Sequence, residues 1–200
     1  MIFVNIHAIM LKINKTYKLM NKITTIYQKD VFPEMAEDSS IEYTDRNTGK
    51  AIIIDSDGKI GLVGNKQNDF LQLPGGGIDE GEDIGQGVIR ECLEETGCAV
   101  ELQSEVGIID DYRPRDKKHC INFCYVVTVT GEKGEVSHTD DESNIGMYTK
   151  WVDIKTALEI FRKQEKDLRD GKVTFYNTGF NILRDLKFLE DALANNLIHE

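Results

Sequence analysis

The sequence predicts an α/β (α+β) domain in which strands and amphipathic helices share one core. Three observations carry this. Two apolar runs flank Ser56-Asp57-Gly58 as in a strand hairpin, the segment from Asp83 has the apolar spacing of a helix, and the C-terminal end holds two long helical patterns. With 200 residues and 40% apolar content, the chain has the size of one domain and enough apolar side chains for a substantial core.

Residues 1–39 are expected to form an N-terminal extension, with Met20 as an alternative start, and residues 40–200 a single domain. Residues 1–11 are apolar but have neither a basic region before them nor a small-residue cleavage site, so a cytoplasmic protein is expected. Asp38-Ser39-Ser40 reads as a loop, and residues 51–55 and 60–63 as the two arms of the hairpin. Residues 70–73 lead into Leu73-Pro74-Gly75-Gly76-Gly77, where glycine admits backbone conformations that a side chain forbids. Asp83 is a good N-cap, and Ile84, Val88 and Cys92, joined by Ile89 and Leu93, give the following helix one apolar face. Gly85 and Gly87 inside it each cost about 1 kcal/mol relative to Ala; they either leave room for a metal or substrate or mark a tolerated weak helix start. Residues 98–109 and 121–130 read as strands joined by a polar connection at 110–119, and residues 131–149 as a polar, acidic loop. Trp151-Val152 fits a short strand, and residues 153–169 and 178–195 fit helices separated at Gly171.

The chemistry concentrates on the helix after the glycines. Glu91 and Glu95 lie one turn apart on a common face, with Glu94 beside them. Like charges at this spacing destabilise a helix by roughly a few tenths of a kcal/mol per pair, so a cation among them explains their presence better than decoration does. An oxygen-only donor set suits Mg²⁺ or Mn²⁺. Arg90, next to Glu91 and four residues before Glu94, is placed to orient a carboxylate from outside the donor set.

Other classes are disfavoured. An excess of 35 acidic over 24 basic residues, net −11, opposes nonspecific nucleic-acid or anionic-membrane binding. No run approaches the ~18–20 apolar residues of a membrane span. Cys92, Cys98, Cys120 and Cys124 lack the paired spacing of a zinc site, and Cys120 and Cys124 fall on one face of a strand, as buried thiols do.

Residues 76–98 contain Gly76, Glu82 after five residues, and then, after seven more, Arg90-Glu91-Cys92-Leu93-Glu94-Glu95-Thr96-Gly97-Cys98. This pattern resembles the Nudix box, G-x5-E-x7-R-E-U-x-E-E-x-G-U, with every fixed position filled. Only the bulky apolar U positions depart from it, being Cys92 and Cys98. The resemblance, strongest over residues 50–152, implies a Nudix-type α/β/α sandwich with a mixed β-sheet. It implies Glu91 and Glu95 as principal metal ligands, the carbonyl of Gly75 in the metal shell, Glu94 as a further ligand or a base, and Glu82 as an outer-shell group. It also implies a further acidic residue shortly before Trp151, for which Glu142 is the first choice and Asp141 the second, against an ordinary solvated acidic loop.

Arg113 and Arg115, with Lys117 and Lys118, are candidates to neutralise substrate phosphate, the alternative being a solvated hairpin. Gly76 and Gly77 are the loop's candidates for contact with substrate, while His119 and His138 read as structural or solvent-facing. The expected function is Mg²⁺-dependent (or Mn²⁺-dependent) hydrolysis of a diphosphate linkage in a small nucleoside diphosphate derivative, with Arg90, Glu94 and Glu142 in catalysis and Glu94 and Glu142 competing as base. A catalytically silent nucleotide sensor and an isoprenoid-diphosphate isomerase are the alternatives. No nucleic-acid or membrane partner is expected; a homodimer is one candidate assembly, and the group attached to the diphosphate is left open.

Overall fold

The computed structural model describes residues 20–35, 40–65, 70–134 and 146–199. Strand β1 (Lys22–Ile26) and the short helix α1 (Gln28–Val31) precede β2 (Thr44–Ile54), β3 (Ile60–Asn65) and β4 (Leu71–Gln72). Helix α2 (Ile84–Thr96) follows the glycine loop, then β5 (Val100–Arg113), a 3₁₀ turn (Pro114–Asp116), β6 (Lys118–Val129) and β7 (Met147–Val152). Helices α3 (Ile154–Arg169) and α4 (Tyr176–Ala194) end the described chain.

All the described strands join one mixed sheet in the order β1-β5-β6-β2-β3-β4, with β7 also paired to β3. β1 runs parallel to β5 and β2 parallel to β6, whereas the β2/β3, β3/β4, β3/β7 and β5/β6 pairs are antiparallel. The alternation of side chains along β2 divides the core into two layers. Ala51 and Ile53 pack with Ile84, Val88 and Cys92 of α2, while Ile52 packs with Phe161 of α3 and Phe180 and Phe188 of α4. The result is an α/β/α sandwich.

The hairpin forms because Asp55 accepts from the backbone N–H of Asp57 (3.0 Å) and Lys59 (2.8 Å), tying the turn from within. Asp83 caps α2 by accepting from Gly85 and Gln86, and Gly97 closes it in the left-handed conformation. Gly85 and Gly87 are sites of close packing, not room for a ligand. A Cβ on Gly85 would stand 2.7 Å from Leu102, and one on Gly87 would collide with Ile78 and press on Glu82.

Three expectations on chain organisation differ from the structure. Residues 22–26, expected in an extension, form an edge strand of the sheet, since Ile26 is buried in the core and Lys22 pairs with Asp110 at 2.6 Å. Asp110, Asp111 and Arg113, expected in a connection, belong to β5, whose ladder with β6 runs from Val100↔Val129 to Arg113↔Lys118 and leaves only a tight turn. The strand anticipated at Trp151-Val152 starts earlier, because Met147 already pairs with Asn65.

Candidate active site

The site is built where the glycine loop crosses β2. Gly49 donates to the Gly76 carbonyl, Ala51 to that of Pro74, and Ile78 to that of Asn47, so the loop is laced to the strand by backbone hydrogen bonds. Gly75 has φ +125, and a Cβ there would run into the Gly49 carbonyl; only glycine fits. The Gly75 N–H donates to Glu95 Oε2 at 2.6 Å, and a Cβ on Gly76 would lie 2.6 Å from Glu91 Oε2. Loop and α2 therefore meet through the two carboxylates one turn apart.

Arg90 ties these acids together. Its Nε and Nη2 donate to the two oxygens of Glu82 (2.9 and 3.0 Å), its Nη1 to Glu91 (2.9 Å) and Glu94 (3.1 Å), and its Nη2 also to the Gly77 carbonyl (2.9 Å). Hydrogen bonds from Arg90 hold the Glu82 carboxyl below its usual range, and Glu82 also accepts from the Asp79 N–H. Burial pushes the Glu91 carboxyl up, and Arg90 only partly offsets this. Glu95 is buried, whereas the Glu94 side chain is 43% exposed.

Among the described residues no three carboxylate, histidine or cysteine side chains converge into a ready-made cage for an ion. The donor chemistry nevertheless fits Mg²⁺ or Mn²⁺. Such ions commonly take one or two protein carboxylates and complete their shell with water and substrate phosphate, and the loop juxtaposes Glu91, Glu95 and the Gly75 carbonyl, all oxygen donors. That carbonyl already accepts from the buried ammonium of Lys50.

Lys50, Asn122, Arg184 and Asp185 form a buried polar layer that sequence reasoning missed. Asp185 accepts from the Leu73 N–H (3.0 Å) and from Arg184 Nε (2.8 Å), so α4 anchors the start of the glycine loop. Arg184 Nη1 reaches the Asn122 carbonyl oxygen (3.3 Å), which also accepts from Thr48 (2.6 Å), while Asn122 donates to Asp111 (2.9 Å). Burial pulls the Lys50 ammonium below its usual range, with Arg184 adding to the effect and Asp185, Glu95 and Glu91 opposing it. The signal was present in outline, as Arg184-Asp185 interrupts an apolar helix face and Lys50 stands directly before the apolar run 51–54.

The remaining candidates sit elsewhere. Arg113 is buried, grips both oxygens of Asp111 (2.6 and 3.1 Å), donates to Asn181 and lies over the Phe180 ring, so its charge is already answered within the fold. Arg115 is exposed above Tyr176 and lines a groove with Phe32 and Arg169 that includes none of the acidic residues of α2. His119 pairs with Asp45 and stacks on Tyr112. Asp141, Glu142 and His138 lie outside the described residues.

Replacing Arg90 by Ala should lower activity or metal affinity about 10- to 100-fold, the range for a group that orients ligands. Activity titrated against Mg²⁺ checks this; an unchanged rate and metal dependence would reduce Arg90 to a surface arginine.

The NUDIX domain family profile matches residues 46–175, more than half of the chain. An ADP-ribose pyrophosphatase of Methanocaldococcus jannaschii is 30% identical over 121 residues, covering 59% of this chain and 68% of that protein. The diphosphoinositol polyphosphate phosphohydrolase 2 of Mus musculus is 31% identical over 90 residues, which is 45% of this chain and 46% of that one. Among solved structures, a NUDIX hydrolase from Nitrosomonas europaea superposes with a TM-score of 0.55 at 19% identity, covering 78% of this chain and 97% of its own, a likeness of fold. No helix among the described residues is long and apolar enough to cross a membrane.

Proposed function

From the premise that this chain belongs to the Nudix family and is a Nudix-type pyrophosphohydrolase, we propose that it cleaves the diphosphate linkage of a nucleoside diphosphate derivative with Mg²⁺ or Mn²⁺ held at Glu91, Glu95 and the Gly75 carbonyl. The observation that carries the reading is the meeting of Glu91 and Glu95 with the Gly75-Gly76 backbone. When bound there, a divalent ion polarises phosphoryl oxygens and offsets the charge of the leaving phosphate.

The chain supplies the rest. Glu95 ties the Gly75 N–H and so fixes the carbonyl's peptide neighbour, and Arg90 splits its five donors among three carboxylates and the Gly77 carbonyl so that Glu91 cannot swing away. Glu94 shares the Arg90 fork but faces water, which suits a group that takes a proton from an attacking water; Glu142 and Asp141 are its rivals for that role. Comparing Glu94→Gln with Glu142→Gln separates them, since loss of the base lowers kcat while substrate still binds.

ADP-ribose is the first substrate to try, because the M. jannaschii relative carries that name. Nucleotide sugars, dinucleoside polyphosphates, oxidised nucleoside triphosphates and diphosphoinositol polyphosphates complete the panel. Phosphomonoester release from at least one of these nucleotides with Mg²⁺ or Mn²⁺ is expected, with none when the metal is chelated. If nucleotides raise the melting temperature by mass action but none is hydrolysed, the sensor reading replaces this one.

A further inference from the structure

The hydrolysis outlined above makes no use of the Lys50 ammonium, yet Lys50 is 3% exposed and donates to the Gly75 carbonyl oxygen at 2.5 Å. The N–H of the same glycine donates to Glu95 at 2.6 Å, so one residue links a buried cation to a buried carboxylate. The other cations nearby are already engaged: Arg90 answers Glu82, Glu91 and Glu94, and Arg184 answers Asp185. Lys50 lies in the field of Arg184, which opposes its charge, and of Asp185, Glu95 and Glu91, which favour it.

We propose that Lys50 is a resident counter-cation, which holds the Gly75 carbonyl, balances Glu95 and adds to Arg90 in balancing Glu91 in the metal-free protein, and whose charge opposes the ion that takes its place. The proposal rests on the reading of those three groups as metal donors. Buried carboxylates without a cation are costly, and β2 delivers one from a strand whose neighbours Ala51, Ile52 and Ile53 are core. A divalent ion of this class binds oxygen at about 2.0–2.1 Å. Two cations on one carbonyl oxygen therefore stand at most about 4.6 Å apart, and their repulsion in a partly dry site outweighs what a tethered carbonyl returns. A residue that merely aimed the carbonyl would act with the opposite sign, because its removal would weaken metal binding.

The test uses the full chain as wild type, Lys50→Met and Lys50→Gln, stripped of metal and titrated with Mn²⁺ while the free ion is followed by electron paramagnetic resonance. Both variants should melt below wild type without metal, bind Mn²⁺ at least about tenfold more tightly, and gain more in melting temperature from saturating Mn²⁺. Unchanged or weaker Mn²⁺ affinity in either variant overturns the proposal. So does failure of both to fold in Mn²⁺, since the ion should replace the ammonium. A wild type that binds no Mn²⁺, with Glu95→Gln no different, removes the metal reading and the proposal with it.

Discussion

Glu95→Gln will lower turnover by at least about 100-fold, beyond the 10- to 100-fold range of a residue that only orients ligands. The substitution removes one negative charge from a buried position and also weakens a charge-assisted hydrogen bond, because Glu95 accepts from the Gly75 N–H at 2.6 Å. Glu91→Gln should cost a similar factor in rate with less disturbance of the loop, since Glu91 is held by Arg90 and touches Gly76 only by contact. The two variants are thus distinguishable: both lose Mn²⁺ affinity, but the metal-free melting temperature falls further for Glu95→Gln. Steady-state kinetics at saturating Mg²⁺ check the rate, and near-parental turnover in either variant would remove that residue from the ligand set.

Arg113→Met should destabilise the fold by about 3–5 kcal/mol, because it leaves Asp111, which has no exposed surface, as an unanswered buried charge. In a chain of this length that corresponds to a fall in melting temperature of roughly 6–20 °C. Burial opposes the Arg113 charge, yet its hydrogen bonds and ion pair with Asp111 win and hold the guanidinium above its usual range. Adding Asp111→Leu to Arg113→Met should recover part of the loss, since removing both charges avoids the penalty of stranding one. Thermal melts check this. A variant that melts within about 2 °C of wild type while its KM for a hydrolysed nucleotide rises would instead make Arg113 a substrate contact.

The sequence was most legible where local rules and tertiary packing agree. The hairpin around Asp55 and Gly58 closes on its own side chain, and α2 begins at its own cap, so both could be located from neighbours in sequence. Arg90, Glu82, Glu91 and Glu94 are likewise within one helix and the turn before it, and their contacts follow from spacing. What was hidden depends on partners far away. β1 is five residues long and is held by β5, whose paired residues lie more than eighty positions on, so nothing local distinguishes it from an extension. Arg113 is paired with Asp111 two residues back, but that both lie buried on one face of β5, covered by Asn181 and Phe180 of α4, is decided by a helix near the end of the chain. Lys50 shows only that an apolar run follows it; that it meets the Gly75 carbonyl is decided by how the loop crosses β2.

The four cysteines are all free and all buried, and they are divided between the sides of the sheet. Cys92 and Cys98 pack in the layer under α2, and Cys124 in the layer under α3 and α4. Burial pushes the Cys92, Cys120 and Cys124 thiols up, which disfavours the reactive thiolate at these positions while the surrounding layer stays closed. An alkylating reagent thus meets a protein that carries its own clocks. Modification at Cys92 times the lifting of α2, modification at Cys124 times the parting of the two C-terminal helices from the sheet, and the ratio of the two rates tells whether the molecule breathes as one body or loosens one face at a time.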